Sequence, residues 1–419
     1  MKRILLISYY FQPCTGIAPN RPTAFATNFS KQCEVTVLTR HWKGDENKWE
    51  DYLRTNNTEE STEQIQENLT VVKIPYQSAI RKPNTLKTIY DLGRGHLDSE
   101  IDGLQFYQKA SEIILSWKPD LIFVSAPPTN LVNLAYKLSK EFRIPYFVDF
   151  RDFQNDILLN NHAKPGRKEA FQFKVTQHHV MKWLKESLGI STINEQLQNY
   201  FQHKANKPTA LIYNGFEASI FERFTPVQKL ESEVFIISII GTIYPGQELD
   251  LFLDAFQLVL EKEKNFLFKF IGIDTIPEIG DRIRKALPEP NLLITGRLKR
   301  TEALKHLEES HVVWHPEWKG YTGMYSGKIF EYLGAHRPII IAPSVGDVLD
   351  RLLLETNAGS SFETSTEIAE HILFQYTQWK ATGQISYNGN PEAIAQYSRE
   401  NQSKKLLDFI FQGNQIPSK

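Results

Sequence analysis

The sequence predicts an α/β protein made of two open, mostly parallel sheets in tandem. Short β-branched apolar runs alternate with segments of helical periodicity, which is the pattern of parallel strands joined by crossover helices. The length of 419 residues suits about two to three domains. The alternation pauses over residues 214–227, which we predict to be a linker. We therefore expect domains at 1–212 and 213–392, followed by a terminal helix at 393–419.

Each predicted strand is a short apolar run bounded by turn residues. Residues 43–68 are polar, so we expect a surface excursion or a mobile loop there rather than core. Residues 393–413 look helical and end in an apolar cluster that should dock on an apolar surface. The predicted strands lie at 3–8, 34–39, 70–74, 120–125, 145–149, 190–193 and 209–213 in the first half, and at 234–241, 266–272, 292–295, 311–314 and 338–342 in the second.

Composition argues against several classes of protein. The 48 Lys and Arg balance 49 Asp and Glu, and a net charge of -1 disfavours a nucleic acid partner. Cys14 and Cys33 have no partners at metal-ligand spacing, which disfavours a disulfide scaffold or zinc site and predicts a cytoplasmic location. The longest strongly apolar run, residues 234–240, is far shorter than the ~20 residues of a membrane span.

Several common motifs are absent from the sequence. No G-x-G-x-x-G follows the first strand, which argues against a dinucleotide cofactor, and residues 323–328 have the wrong spacing for a P-loop. No Asp-x-Asp and no G-x-S-x-G occur, so metal-dependent and serine chemistry lose support.

Residues 319–342 are the most informative segment and are predicted to form a loop, a helix and a strand. Ser326 is a candidate N-cap, and amides at that helix start would favour an anion such as a diphosphate. Lys328 opposes the helix dipole and needs a partner, which a phosphate would provide. Glu331, one turn later, can accept both hydroxyls of a ribose. Spacing alone favours the alternative, an ordinary Lys328–Glu331 pair on a solvated helix face.

This segment resembles the donor-binding motif of glycosyltransferase family 4, in the subgroup whose helix reads Ser-x-Lys-x-x-Glu-Tyr before an x-x-Pro-Ile strand. The resemblance extends over nearly the whole chain in the family's order. Similar segments are residues 8–13 with Gly16 and Arg21, residues 34–39, the Asp-x-Arg-Asp strand end at 148–152, Tyr213-Asn-Gly-Phe216, residues 241–246, and residues 295–297 with the predicted helix 301–309.

The resemblance implies the GT-B fold, with two Rossmann-like domains facing a cleft and a C-terminal helix that crosses back to the first domain. It implies retaining transfer of a sugar from a nucleoside diphosphate sugar to a hydroxyl, in surface glycan or polysaccharide biosynthesis. The acceptor would be a glycan, a lipid-linked molecule or a small molecule. No metal or other cofactor is expected, because cations and amides would stabilise the leaving diphosphate.

The resemblance also implies roles for single residues. Glu331 would hold the ribose, and Lys328 with Arg297 would face the diphosphate, assisted by amides around Gly241 and Gly323. We assign Asp152 to catalysis together with Lys328 and Arg297. The remaining donor-binding residues are Thr242, Tyr244 and Ser326, beside the two glycines, and the acceptor side takes Gly16, Arg21, Asp149 and Arg151.

Alternatives remain open in the first domain. Gly16 fits a tight turn as well as a close approach to substrate. The strand end at 149–152 fits a ligand site, because ligands bind at such ends in open α/β sheets, or a buried Arg–Asp clamp. The predicted helix 167–188 carries many basic residues and would rest on the inner, anionic face of a membrane, although a solvated helix is favoured.

Two functions compete with glycosyl transfer. One is a nucleotide-sugar epimerase of the same fold. The other is a catalytically silent nucleotide-sugar-binding protein, which is suggested by Gly323, where the family often has Glu, and by Gln247, where a basic residue is common.

Overall fold

The chain forms two compact units in the computed structural model. The first unit contains Met1–Asn214 and Arg399–Lys419, and the second contains Gly215–Ser398. The structure describes residues 1–44, 59–76, 103–153, 164–227, 232–273 and 276–412, together with residues 92, 93, 95, 97, 158 and 230.

The first unit is an open sheet with helices on both faces. Its sheet order is β3-β4-β2-β1-β5-β6-β7-β8, and every described neighbouring pair is parallel except β3 with β4. The strands are β1 (Arg3–Ser8), β2 (Glu34–Arg40), β3 (Ser61–Gln66), β4 (Leu69–Ile74), β5 (Leu121–Ala126), β6 (Tyr146–Phe150), β7 (Ile190–Thr192) and β8 (Thr209–Leu211). The helices are α1 (Asn20–Phe29), α2 (Gly103–Trp117), α3 (Asn130–Phe142), α4 (Arg167–Leu184) and α5 (Glu195–Ala205), with the returning helix α14 (Arg399–Gln412).

The second unit repeats this architecture with an all-parallel sheet of order β11-β10-β9-β12-β13-β14. Its strands are β9 (Phe235–Ile240), β10 (Phe266–Ile271), β11 (Leu292–Ile294), β12 (Val312–Pro316), β13 (Ile339–Ala342) and β14 (Gly359–Ser361). Its helices are α6 (Ala218–Phe221), α7 (Leu249–Lys262), α8 (Pro277–Ala286), α9 (Arg300–Glu308), α10 (Gly327–Gly334), α11 (Val348–Thr356), α12 (Ser365–Thr382) and α13 (Pro391–Ala395).

The central strands of both units are covered on two faces. All six residues of β9 are buried, as expected for a parallel strand with helices on either side. In β1, Leu5 and Ile7 belong to one apolar cluster and Ile4 and Leu6 to another, because successive side chains point to opposite faces. The continuous apolar runs in the sequence are therefore explained by two-sided burial.

The boundary between the units lies between Asn214 and Gly215, whereas the sequence predicted a linker over residues 214–227. The first stretch of the first unit ends at Asn214, and the chain is packed again almost at once, since Phe216, Phe221 and Val227 are all buried. These three apolar side chains anchor the segment in the second unit, so it does not behave as a linker.

The chain near residue 393 also differs from the predicted single helix. Residues 391–395 form α13, and residues 396–398 separate it from α14. Ile394 and Tyr397 are buried in the second unit, and Ser398 pairs with Phe216 as an isolated bridge. The crossing therefore begins at Arg399, and the predicted residues 413–419 lie outside the described part of the chain.

Helix α14 returns to the first unit, as predicted. Leu406, Leu407 and Ile410 are buried in the same cluster as Phe25 and Phe29 of α1. The terminal helix thus completes the core of the first unit.

Two strands were not predicted. β3 lies within the polar excursion 43–68, of which residues 45–58 are outside the described part, and its side chains are almost all exposed at the sheet edge. β14 has only three residues.

Within the described ranges, no helix is both long and apolar enough to cross a bilayer.

Candidate functional site

The candidate site of the second unit lies where its strand order reverses. β9 pairs with β10 on one side and with β12 on the other, and ligands in open α/β sheets bind beside the carboxyl ends of such strands. The loops that follow β9 and β12 begin at Gly241 and Glu317, and the second loop leads into α10.

Helix α10 is fixed at both ends by local contacts. The Ser326 hydroxyl accepts a hydrogen bond from the Lys328 amide at 3.2 Å, which confirms Ser326 as the N-cap. The buried Tyr332 hydroxyl accepts a hydrogen bond from the Ile240 amide at 3.0 Å, so the helix is held against the end of β9. A Cβ at Gly334 would lie 2.6 Å from Phe216, so only glycine fits there.

The Lys328 side chain reaches the loop after β9. Its Nζ donates a hydrogen bond to the Thr242 carbonyl oxygen. A Cβ at Gly241, whose φ is +89°, would lie 3.2 Å from the Lys328 Cε, so this glycine leaves room for the lysine. Burial lowers the pKa of Lys328 to about 7. An anion bound beside Nζ would favour the charged form of the lysine.

Glu331 is held by a cation that sequence reasoning missed. Arg300, at the start of α9, donates from Nη2 to the Glu331 Oε1 at 3.1 Å, and its Nη1 lies 3.5 Å from Glu217. The Glu331 side chain is 25% exposed, so a ligand can reach it. Lys328 and Glu331 bind different partners, and the simple i,i+3 pair that spacing favours is not the arrangement observed.

The amides of Gly241 and Gly323 themselves have partners within the protein. The Gly241 amide donates to the Ile271 carbonyl oxygen at 2.7 Å, and the Gly323 amide donates to the Asp347 carboxylate. A role for the amides around these two glycines in binding a diphosphate stays a prediction. Gly323 allows a tight loop, with φ +72°.

Gln247 organises the loops rather than facing a ligand. It is only 6% exposed, its Oε1 accepts from the Tyr244 amide at 2.8 Å, and its Nε2 donates to the Pro316 carbonyl oxygen at 2.7 Å. Its backbone also forms an isolated antiparallel bridge with Trp318. A neutral side chain at this position therefore joins the loop after β9 to the loop after β12.

The remaining donor-side cation, Arg297, is exposed in the loop between β11 and α9, three residues before Arg300. The sequence contains both arginines, but nothing in their spacing indicates which one reaches Glu331.

Within the described residues, no group of three or more His, Cys, Asp or Glu side chains could hold a metal ion.

In the first unit, Arg21 and Asp149 form a buried clamp. Arg21 is 3% exposed and Asp149 is 0% exposed, and the Arg21 Nη2 lies 2.6 Å from the Asp149 Oδ1. Arg21 also donates to the carbonyl oxygens of Ile212 and Tyr213, while the Ser191 hydroxyl donates to Asp149 at 2.7 Å. Arg21 and Asp149, two of the four residues predicted on the acceptor side, are thus enclosed in protein, and the cation that pairs with Asp149 is Arg21 from α1 rather than Arg151 at the same strand end.

Arg151 and Asp152 lie nearer the surface. Arg151 Nε is 2.9 Å from the Asp152 carboxylate, and its Nη1 donates to the Ala18 carbonyl oxygen. The Asp152 side chain is 48% exposed. Gly16, two residues before Ala18, is exposed and has a φ of +102°. This backbone conformation by itself favours glycine. Arg151 therefore connects the end of β6 to the loop that carries Gly16.

Comparison with known proteins is consistent with this architecture. Residues 234–377 match the family model described as glycosyl transferases group 1. No curated protein matches the sequence.

Solved structures match over nearly the full length at low sequence identity. Sucrose-phosphate synthase from Thermosynechococcus elongatus has a TM-score of 0.64 and 11% identity, with 98% of this chain and 99% of that chain covered. A glycosyltransferase from Rickettsia africae ESF-5 has a TM-score of 0.62, 12% identity and 98% coverage of both chains. Anabaena HepE, solved with UDP, has a TM-score of 0.60 and 14% identity, covering 98% and 100%. The chain therefore has the GT-B fold, and its second unit matches the group 1 glycosyltransferase family model.

Proposed function

We propose that the protein is a glycosyltransferase that moves a sugar from a nucleoside diphosphate sugar to a hydroxyl acceptor. The observation that carries the proposal is the arrangement of Lys328 and Glu331 on α10. Within the unit that matches a glycosyltransferase family model, a half-buried cation and an accessible carboxylate lie one helical turn apart at the sheet's reversal point.

The two side chains suit two parts of one ligand. The Lys328 ammonium suits the diphosphate, and the Glu331 carboxylate suits the ribose hydroxyls, as charge-assisted hydrogen bonds. Arg300 holds Glu331 in place at 3.1 Å, so the carboxylate is oriented before the ligand arrives. A nucleotide accounts for both groups, whereas an isolated phosphate accounts only for the lysine.

The same arrangement supports the chemistry of transfer. The bond between the anomeric carbon and the diphosphate oxygen breaks, a bond from that carbon to the acceptor oxygen forms, and the proton of the acceptor hydroxyl passes to the departing diphosphate. Negative charge grows on the departing diphosphate, and a protonated Lys328 beside it lowers the barrier. We propose that Asp152 acts on the acceptor side, where its exposed carboxylate is available to an acceptor hydroxyl.

Further parts of the proposal follow the resemblance found in the sequence. Transfer would retain the anomeric configuration, would need no metal ion, and would serve surface glycan or polysaccharide synthesis. Proton NMR of the product tests retention, and activity after treatment with a chelator tests metal independence.

A thermal-shift screen against UDP, GDP and dTDP sugars tests the proposal directly. A ligand at ~100 times its Kd adds about 2.7 kcal/mol to the stability of the folded protein. We expect one nucleotide family to raise the Tm clearly, as UDP and UDP-glucose are bound in the HepE structures. No shift with any nucleotide would contradict the proposal.

Glu331→Ala tests the proposed role of the Glu331 carboxylate in donor binding. We expect it to lose donor binding and turnover together, while Glu370→Ala, an exposed glutamate of α12, keeps both. An epimerase would convert the nucleotide sugar without an acceptor, and a silent binding protein would bind it without releasing nucleoside diphosphate. Nucleotide release that requires acceptor therefore distinguishes a transferase from both.

A further inference from the structure

Aromatic side chains form a continuous surface on the two loops of the candidate site. We call Tyr244, Trp318 and Tyr321 the aromatic platform. The rings of Tyr244 and Trp318 are 6.2 Å apart between centroids and inclined by 24°, and those of Trp318 and Tyr321 are 6.3 Å apart and inclined by 52°. Tyr244 is 49% exposed although its ring contacts that of Trp318. The platform is thus open to a ligand.

The platform is held in place before any ligand binds. Gln247 binds the Tyr244 amide and the Pro316 carbonyl oxygen, and its backbone pairs with Trp318. These contacts connect the loop that carries Tyr244 to the loop that carries Trp318. A fixed platform costs little conformational entropy on binding, which strengthens the contact it makes.

Glu331, Lys328 and the platform can be compared with the ribose, the diphosphate and the sugar of a nucleoside diphosphate sugar, taken in that order. Glu331 lies one helical turn from Lys328, and Lys328 binds the Thr242 carbonyl oxygen. Tyr244 is two residues beyond Thr242, at most roughly 7 Å of extended chain. With the ribose at Glu331 and the diphosphate at Lys328, the next part of the donor is the sugar ring, and Tyr244 is within this reach of the residue whose carbonyl oxygen Lys328 binds.

The chemistry of the platform suits a sugar ring. A pyranose presents a face of C–H groups and an edge of hydroxyls. Tyr and Trp offer large, rigid apolar faces with a polar group at the rim, and they lose little side-chain entropy when they bind. A diphosphate would gain nothing from these rings, whereas the C–H face of a hexose would cover apolar surface that is now in water.

We infer that the aromatic platform binds the transferred hexose of the donor through the stacking of its C–H face on Tyr244 and Trp318. This inference rests on the proposed function, because it takes the site to bind a nucleoside diphosphate sugar. It assigns sugar recognition to the loops after β9 and β12, separate from nucleotide recognition by α10.

The test compares binding of a nucleoside diphosphate with binding of its hexose. The ligand pairs are UDP with UDP-glucose, GDP with GDP-mannose, and dTDP with dTDP-glucose, measured by calorimetry on the full chain. For the pair that binds wild-type protein, we expect Tyr244→Ala to weaken the hexose conjugate about tenfold or more, since one apolar contact is worth roughly 1–3 kcal/mol. Binding of the nucleoside diphosphate alone should change less than twofold.

Three further variants sharpen the result. Tyr244→Phe keeps the ring and should keep wild-type affinity, Trp318→Leu should repeat the selective loss, and Phe374→Ala removes an exposed ring of α12 and should change neither ligand. Equal losses for both ligands, no loss for either, or a loss confined to the acceptor KM would each overturn the inference. If wild-type protein binds none of the nucleotides, the proposed function itself fails, and the two failures are therefore distinct.

Discussion

Lys328 links the candidate chemistry to pH because burial makes its charge costly. Burial lowers the pKa of Lys328 to about 7, against about 10.4 for a lysine in water. The unfolded chain therefore binds a proton that the folded chain lacks between about pH 7 and pH 10, so folded-state stability rises with pH through that window. A diphosphate at this position would raise the pKa again and draw in a proton.

Lys328→Met should separate these two effects. We expect the variant to be more stable than wild type by about 1–3 kcal/mol at pH 6 to 7, with the difference fading as the pH approaches 10. Its affinity for nucleoside diphosphate should fall roughly 10- to 100-fold, the value of a charge-assisted hydrogen bond.

Denaturation with urea at several pH values and calorimetry with UDP, GDP and dTDP measure both quantities. In wild-type protein the affinity should weaken steadily above about pH 7, and the variant should not show this slope. A variant that is less stable than wild type at pH 6 would refute the explanation from burial of charge.

The clamp of Arg21 and Asp149 makes a prediction for stability. Arg21→Met leaves a fully buried carboxylate without its cation, which typically costs about 3–5 kcal/mol. The control is Lys140→Ala, which removes one partner of an exposed pair with Glu186 and should cost about 0–1 kcal/mol. Similar Tm values for the two variants would show that the clamp contributes little to folding.

Sequence patterns predicted elements well where burial is two-sided and poorly at edges. The run at 234–241 is apolar except for Ser238 and Gly241 and contains β9, whereas Ser61–Gln66 is exposed along β3 and has no pattern to mark it as a strand. The N-cap at Ser326 was predictable because it depends on neighbouring residues. The Arg300–Glu331 and Gln247–Pro316 contacts were not, because they join elements distant in sequence and depend on how loops fold.

Helix α4 presents two faces of different character. One face is apolar and buried in the first unit, and it contains Val180, Met181, Trp183 and Leu184. The helix therefore packs through this face, as expected for a helix whose other face is in solvent. The outer face carries Phe171, which is 58% exposed. In the described part of the chain, no ion pair involves the exposed basic residues of this face, which are Arg167, Lys168, Lys174, Lys182 and Lys185.

This outer face predicts binding to an anionic lipid surface. Each basic residue near such a surface contributes about 1 kcal/mol, so reversing Lys174 and Lys182 to Glu should weaken binding to phosphatidylglycerol vesicles about tenfold or more. Vesicle sedimentation measures the effect, with neutral phosphatidylcholine as the comparison. The matched control reverses Lys204 and Lys404, two exposed lysines outside α4, and should retain binding. If wild-type protein stays in solution with both vesicle types, the outer face of α4 is only a solvated surface.

As a whole, the chain consists of one unit inserted into another. Gly215–Ser398 is continuous, whereas the first unit needs both Met1–Asn214 and Arg399–Lys419. The buried contacts of α14 are made with the first unit, through Leu406, Leu407 and Ile410. A truncation before Arg399 therefore removes part of the core of the first unit and leaves the second unit whole.

Fragments of the chain should behave accordingly. We expect residues 215–398 alone to fold cooperatively and to bind the nucleoside diphosphate that the full chain binds, because the Lys328 and Glu331 contacts all lie within it. Residues 1–214 alone should be poorly stable, since each large apolar side chain lost from a core costs about 2–5 kcal/mol. Circular dichroism melts of both fragments measure this. A stable 1–214 fragment would show that α14 is dispensable.

The insertion also sets the order in which the protein can be completed on the ribosome. At roughly 5–20 residues per second, the inserted stretch takes roughly 10–40 s to synthesise, and only then does α14 emerge. During that interval the apolar face of α1 that contains Phe25 and Phe29 has no covering helix. The nascent chain must keep this surface from sticking to its neighbours until α14 is available, so residues made after the second unit complete the core of the first.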